Sequence, residues 1–490
     1  MRLTILTRAS DLARLQGHLV RRRLEAEYRS ADVRLAVRDS AGDRDRQTPL
    51  WQMGDKGAFT TDLSDALARG DADIVVHSWK DLPIEPRRDT IVAATLPRGD
   101  ARDVLVIRRD AVDRQAPRLT VLSSSPRRAL MLRELLPALL PWRVEAVEFA
   151  GVRGNVPTRM RHLTRGGGDA LVVAKAALDR LLDPASPFVD AAQSVRALLD
   201  QCRWLVLPLR EHPSAAAQGA LALEIAASNM ALADTLRRVS DEPTWRAVTT
   251  EREILAGHGG GCHQAIGATM LPLPFGDVIS VRGRTDAGLA LSTWALTSPA
   301  PAQPRARRQA IWPRPGEGHV VRRSLDVPDP GDDRGLYVTR DEALPAAWTV
   351  TPDRLVWAAG ASTWKKLAAR GIWVHGSSEG IGLFEAAAIA RLAGRGVRWH
   401  RLTHADAGTS EALPTYEAVS ALPPDLAART HFFWRSGSEF RKALEAHPDL
   451  RGRWHASGPG HTFDVIRQLA GTGRARPVLG YQEWLEDITA

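Results

Sequence analysis

The sequence predicts a multidomain α/β protein, and three observations carry that reading. The chain has 490 residues, too many for one core; at ~100–200 residues per domain it divides into about three or four. Short apolar runs alternate with helix-spaced leucines through the first part of the chain, and the same rhythm restarts after residue 335. Between the two lies a stretch rich in proline, glycine and charge. Strands alternating with helices imply mainly parallel sheets in layered α/β domains.

In order along the chain, "LTIL" (3–6) reads as a strand. It leads into "DLARLQGHLVRRRLEAEY", where Leu12, Leu15, Leu19, Val20 and Leu24 recur at helical spacing. "DIVVHS" (73–78) and "DALVVA" (169–174) are buried-strand candidates. "VISVRGRT" and "LALSTWAL", joined by "DAG", read as a hairpin in a smaller α+β unit. "SPAPAQPRARRQAIWPRPGEG" and "DVPDPGDDRG" have linker composition. Beyond them "LYVTR", "IWVHG" and "HFFWRSGSEFRKAL" read as a separate doubly wound unit, which holds 8 of the 15 tryptophans. Two of its turns, "GASTWKKLAARG" and "GPGHTFDVIRQLAG", look alike and hint at two similar lobes.

Composition narrows the function classes. The 44% hydrophobic and 25% charged residues form an ordinary globular balance. No run of about 18 apolar residues predicts a membrane span, and "MRLTILTRAS" lacks the apolar core of a signal peptide. Two cysteines preclude a disulfide framework, so the expected compartment is the cytoplasm. The net charge is +9, with 60 arginines against 6 lysines. Codon bias is one reading. The other is an anionic ligand, because guanidinium grips carboxylates through two parallel hydrogen bonds. Zinc-finger spacing, heptads and aromatic RNA-binding signatures are missing and the arginines are dispersed; small polycarboxylates therefore suit the charge better than nucleic acid.

Several motifs could carry chemistry. Arg8 and Ser10 sit where the first strand meets the first helix, with Ser10 placed as N-cap. An anion there would meet free backbone N–H groups; the alternative is a plain capped helix. In "SSSPRRAL" (123–130), Pro126 fits the first helical position and is followed by Arg127 and Arg128. Cations are electrostatically misplaced at that helix end, and a bound carboxylate would repair the conflict. In "VRGNVPTRMRHL" (152–163), Asn155 is a candidate cap and Arg153 and Arg159 bracket the turn. "VVHSWKDLP" (75–83) places Lys80 and Asp81 just past a strand's carboxyl end, where open α/β sheets bind ligands; an Asp before Leu-Pro is otherwise a turn residue. Lys56 lies in the glycine-flanked "GDKGAF". Cys262, in "GGGCHQ" (259–264), is either a small buried thiol or a group left room by its glycines. Cys202 opens an apolar run and reads as structural. His258 and His263 flank Cys262, yet a single such loop is no zinc signature, and no metal is expected.

"LTRASDLARLQ", "QTPLWQMGDKGAF", "ADIVVHSWKDLP", "SSSPRRALML", "RGNVPTRM", "AAAQGALALEI" and "GGGCHQAIGA" occur in this order. Together they resemble hydroxymethylbilane synthase, also called porphobilinogen deaminase, from residue 1 to about 300. The resemblance implies two-lobed, periplasmic-binding-protein-like domains plus a small α+β cysteine-bearing domain. Domain 1 would span 1–97 and 214–236, domain 2 residues 98–213, and domain 3 residues 237–298. Cys262 would carry a covalent dipyrromethane through a thioether, and Asp81 would be the catalytic aspartate. Lys80, Arg127, Arg128 and Ser124 would hold the cofactor. Arg8, Ser10, Lys56, Arg153, Arg159 and Gln218 would hold porphobilinogen, four of which join into a linear tetrapyrrole. The expected partner is the small-molecule substrate alone, with no nucleic acid and no membrane; a monomer is expected, although the oligomeric state is not readable from the sequence. Gln52, Pro126 and Ala265 depart from the family's usual residues, and the usual final helix of domain 3 is hard to place after 299.

After a linker at 299–335, residues 336–490 are similar to uroporphyrinogen III synthase, through "LYVTR", "PTYEAV", "FFWRSGSEF" and "SGPGHTFDVIRQLAG". A flavodoxin-like doubly wound α/β region is implied, with Tyr416 and Thr462 near its cleft. Its shortness implies that part of the first lobe is missing. Two other readings stand beside these: a deaminase with a non-catalytic appendage, and a two-lobed small-ligand binding protein.

Overall fold

The computed structural model describes residues 1–39, 60–260, 264–300, 302–318, 320–407 and 411–489. The first strand, Arg2–Arg8, is buried along its middle because Ile5 and Leu6 face opposite sides of a covered sheet. It pairs in parallel with Asp32–Arg38 and with Ile74–Ser78. The chain later returns to this sheet: Leu221–Ala226 inserts antiparallel between Ile74–Ser78 and Thr90–Ala94. The helix Asp11–Glu27 packs Leu15, Val20 and Leu24 inward, on the leucine spacing seen in the sequence.

A second five-stranded sheet runs in the order Ala146–Ala150, Arg118–Leu122, Ala170–Ala174, Asp103–Arg108, Cys202–Val206. Two crossing segments join the two sheets, and they touch where the Gly99 N–H donates to the Gly219 carbonyl at 3.1 Å. Gly219 has φ 88°, and a Cβ there would lie 2.5 Å from the Gly99 oxygen, so the close crossing requires glycine. A third, antiparallel sheet of Ala265–Leu273, Gly276–Arg284 and Ala290–Thr297 contains the hairpin read from the sequence. The helix Glu242–Gly257 packs on it, and Arg98 clamps that helix to a crossing segment through Glu251, at 2.6 and 2.9 Å.

One expectation for the rest of the chain needs correction. Residues 299–335 are not a free linker. Ile311–Trp312 joins a parallel four-stranded sheet with His431–Trp434, Trp454–Ser457 and Ala475–Pro477. Val320–Ser324 is the antiparallel edge of a six-stranded sheet with Ala412–Ser420, Arg398–His404, Arg334–Val338, Val356–Ala358 and Gly376–Ser377. The segment crosses between two lobes, so its prolines and glycines turn the chain, and its exposed edge strand carries Arg322 and Arg323 as edges do. The segment also contributes a strand to the sheet of each lobe. The two similar turns each start a helix after a strand, Ala361–Ala369 in one lobe and His461–Ala470 in the other. Among the described residues, no α-helix lies between Thr297 and Ile311, and no helix is long and apolar enough to cross a membrane.

The second sheet's domain and the six-stranded lobe share their cores. Leu139, Trp142 and Leu207 cluster with Leu336, Trp364 and Trp373. The Trp364 indole N–H donates to the Leu139 carbonyl at 3.0 Å, and Trp142 stacks on Trp373 with centroids 6.2 Å apart. The Val206 N–H donates to the His375 carbonyl at 2.7 Å, so the two sheets meet edge to edge. Arg109 and Arg203 close the rim on Asp353, at 3.0 and 2.8 Å.

Trp364 is fully buried on this seam. Trp364→Ala is expected to cost about 3–5 kcal/mol and to lower the unfolding temperature of both halves together. Scanning calorimetry checks this: one shifted transition is expected, whereas a C-terminal transition moving alone would separate the cores.

Candidate functional site

Of the residues singled out in the first half of the chain, Arg8, Lys80, Asp81, Arg153 and Arg159 belong to one electrostatic neighbourhood at the carboxyl edge of the first sheet. Ile74–Ser78 ends in a single 3₁₀ turn, Trp79–Asp81, which sets Lys80 and Asp81 at the sheet's carboxyl edge. Arg8 ends the neighbouring strand, and a small cavity of about 20 Å³ is lined by Arg8, Gln16, Ser78 and Asp81. Ser10 caps the first helix, its Oγ accepting the Ala13 N–H at 3.4 Å. Asn155 caps Val156–His162 in the same way, at 2.9 Å. That cap presents Arg153 and Arg159, and Arg159 Nε donates to the Gly154 carbonyl at 2.7 Å.

Electrostatics shows that these side chains share one space. Burial pulls the Arg159 guanidinium down to about 10; the positive charges of Arg128, Arg153 and Arg8 add to this, and Asp81 opposes it. Burial likewise pulls Lys80 down to about 8, with Asp81 and Asp103 resisting and Arg128 and Arg127 assisting. Arg8 and Asp81 line one cavity, and the charge of Asp81 acts on both Arg159 and Lys80, so the cations of this region, drawn from three elements, are set near that carboxylate, a distribution that favours polyanions.

Four expected ligand contacts are placed differently. Arg127 and Arg128, at the start of Pro126–Leu139, are buried on Asp103 rather than open to the cleft. Arg127 Nη2 reaches an Asp103 oxygen at 2.9 Å, and Arg128 binds through Nε at 3.1 Å and Nη2 at 2.6 Å. Arg127 Nη1 also donates to the Pro213 carbonyl, and Arg128 Nη1 to that of Val172. The carboxylate that resolves the helix-end conflict is thus the protein's own. The Ser124 hydroxyl is occupied by the backbone of Val152, as donor and acceptor, both at 3.0 Å. Gln218 is fully buried; its amide donates to Asp103 and to the Ala101 carbonyl and accepts from Lys80 Nζ at 3.1 Å. Sequence reasoning missed Asp103 and His212. The available signal was a carboxylate opening the wholly apolar strand "DVLVI".

Cys262, with its neighbour His263, and Lys56 lie outside the described residues. The described approach to the cysteine loop is informative all the same. Gly259 and Gly260 take φ of 94° and 61°, and a Cβ on Gly260 would meet Ile84 at 3.6 Å. Arg252, on the helix leading to the loop, donates to the Leu82 carbonyl at 3.2 Å and to that of Pro83. The third domain therefore docks on the segment that follows Asp81. Cys202, by contrast, is buried, and its thiol is pushed up to about 12 by that burial, which makes it inert. Among the described residues, no cluster of three metal-ligating side chains occurs.

A second cleft, of about 280 Å³, opens between the two C-terminal lobes and brings Tyr416 and Thr462 into one lining. Arg322, Arg340 and Arg401 line it from the six-stranded lobe, and Arg435 and Lys442 from the other. His404 Nε2 and the Ser438 hydroxyl join across the lobes at 2.9 Å, beside an Asp406–Lys442 ion pair at 2.6 Å. Arg322 lies in the stretch read as linker, which hid it.

Residues 3–234 match the family model "Porphobilinogen deaminase, dipyromethane cofactor binding domain". Porphobilinogen deaminase of Lachnospira eligens is 34% identical over 275 residues, which are 56% of this chain and 85% of that protein. That of Mycolicibacterium gilvum is 37% identical over 265 residues, 54% of this chain and 76% of its own. The probable porphobilinogen deaminase of Pyrobaculum islandicum is 32% identical over 291 residues, 59% and 89%. The probable amino-acid ABC transporter extracellular-binding protein ytmK of Bacillus subtilis overlays at a TM-score of only 0.27, with 10% identity, over 52% of this chain and 96% of that one, too loosely to carry any argument. Identity at this level, over most of each relative's length, means that the chain belongs to the porphobilinogen deaminase family.

Proposed function

We propose that residues 1–298 form a hydroxymethylbilane synthase, which joins four porphobilinogen molecules into a linear tetrapyrrole with loss of ammonia. The observation that carries this is the set of cations gathered around Asp81. Each porphobilinogen brings two carboxylates, so a growing chain accumulates negative charge that Arg8, Arg153, Arg159 and Lys80 can balance. The donor set fits a dipyrromethane as well: two pyrroles with four carboxylates, held on the Cys262 sulfur by a loop whose described end lies against Ile84. When bound, that group supplies the free pyrrole carbon onto which the chain is built.

The protein's own residues perform three tasks. Asp81 accepts the pyrrole N–H of the incoming substrate and stabilises the positive charge that develops as its C–N bond breaks and ammonia leaves. Arg8, Arg153 and Arg159 hold the substrate's carboxylates and so fix the ring's orientation. The Gly99–Gly219 crossing keeps the two walls of the cleft in register.

We further propose that the C-terminal half is a uroporphyrinogen III synthase. Supporting this are its two lobes and the five cationic side chains that share a cleft lining with Tyr416, with Glu439 the one carboxylate among the described lining side chains. Such a cleft suits a linear polycarboxylate that has to be folded back on itself.

Three outcomes test these readings. Intact mass should exceed the sequence mass by one dipyrromethane, and Cys262→Ser should lose both that increment and activity; an active protein of plain sequence mass would refute the assignment. Asp81→Asn, which keeps size but removes charge, should lower turnover by about 10²–10³-fold in a porphobilinogen consumption assay. Fed porphobilinogen, the full chain should yield the type III isomer, and Arg340→Leu/Tyr416→Phe should yield mostly type I. Type I from the unmodified chain would leave the deaminase alone.

A further inference from the structure

Asp103 is a carboxylate buried to exclusion from water that accepts from four residues. Besides Arg127 and Arg128, the His212 Nε2–H lies 3.1 Å from one oxygen and the Gln218 amide 2.9 Å from the other. Burial alone would raise its proton affinity, yet the two guanidiniums and the imidazole hold it well below the usual carboxylate range, and it stays charged. His212 is neutral: burial lowers it to about 4, and its Nδ1 has no partner among the described residues. The imidazole therefore donates through Nε2 and adds no charge.

The other end of the same network reaches the catalytic turn. Gln218 stands on the second crossing segment, between Ala217 at φ 65° and Gly219 at φ 88°. Its amide nitrogen is spent on Asp103 and on the Ala101 carbonyl, which leaves its oxygen to accept from Lys80. An unbroken path thus runs from the arginine pair on the helix Pro126–Leu139, through Asp103 and Gln218, to the lysine beside Asp81 on the turn that ends a strand of the first sheet. Both interdomain crossings contribute to it.

We propose that Gln218 is a positioning residue that ties the Lys80 ammonium to the Asp103 hub and so keeps it charged and aimed beside Asp81 while the cleft works. The inference rests on the deaminase reading of this cleft. The groups facing Lys80 are Asp81 on its own turn, Asp103 on the strand Asp103–Arg108, and Arg127 and Arg128 on the helix Pro126–Leu139. The two arginines oppose its charge and Asp103 favours it. The Gln218 oxygen adds a hydrogen bond that only the protonated amine rewards fully. Once deprotonated, Lys80 no longer helps to balance the substrate's carboxylates, so its titration sets the alkaline limb of turnover.

The experiment is the pH profile of turnover for the full chain, Gln218→Leu and Gln218→Glu, with intact mass and thermal unfolding measured alongside. Leucine removes the acceptor, and the alkaline limb should move to lower pH by about one unit. Glutamate keeps an acceptor and adds a charge, and the limb should move to higher pH. Limbs that stay put, or move in the same direction in both variants, overturn the inference. So does loss of folding or of the covalent mass in both variants, because Gln218 would then be structural only. An unmodified chain with neither covalent mass nor turnover overturns the deaminase reading, and this inference with it.

Discussion

Two adjacent arginines buried at the start of one helix repel, and in this protein one buried carboxylate takes up that repulsion. Asp103 binds Arg127 and Arg128 at 2.6–3.1 Å with its side chain wholly shielded from water. An isolated charge at that depth would be prohibitively costly, and only the saturated hydrogen bonding makes it tolerable. One positive charge remains after the pair is counted against Asp103. It is that surplus, with Arg8, Arg153, Arg159 and Lys80, that gives the cleft its sign. A cleft built this way is charged before any ligand arrives, which is the condition for electrostatic stabilisation without reorganisation.

The same hub sits where the two crossing segments meet. Asp103 begins the first strand after one crossing segment, and Gln218 lies on the other. The Arg98–Glu251 clamp joins that region to the third domain, since Glu251 also accepts from the Ala217 and Met270 backbone. Three domains are therefore referenced to one small set of buried ions. The docking of Arg252 on the carbonyls after Asp81 extends that reference to the foot of the cysteine loop.

The C-terminal half is not a bead on a string. Its six-stranded lobe shares a tryptophan-rich core with the second domain, while its other lobe faces the first across the basic cleft. The segment between the halves of the chain threads both lobes as edge strands. Its role explains its composition: prolines and glycines where the chain crosses, arginines where an edge meets solvent and the cleft.

Signals confined to a few residues were legible in the sequence. Ser10 and Asn155 cap helices as their spacing said, Lys80 and Asp81 stand at a strand's carboxyl end, and the order of motifs named the family. Composition misled where it was made to stand for connectivity, as at 299–335, because a strand of two residues such as Ile311–Trp312 leaves no periodicity to read. The partners of Arg127, Arg128 and Gln218 were likewise beyond reach. Their bonds to Asp103 join residues 24, 25 and 115 positions apart, and nothing local distinguishes an arginine that awaits a ligand's carboxylate from one that already holds the protein's own. A cap or a strand end is settled by backbone geometry within one turn of chain, so the sequence by itself determined which side chains border the cleft. Which of them stay open to a ligand and which are spent on Asp103 was decided only by the tertiary structure, because burial and the pairing of distant charges exist only once the sheets have come together.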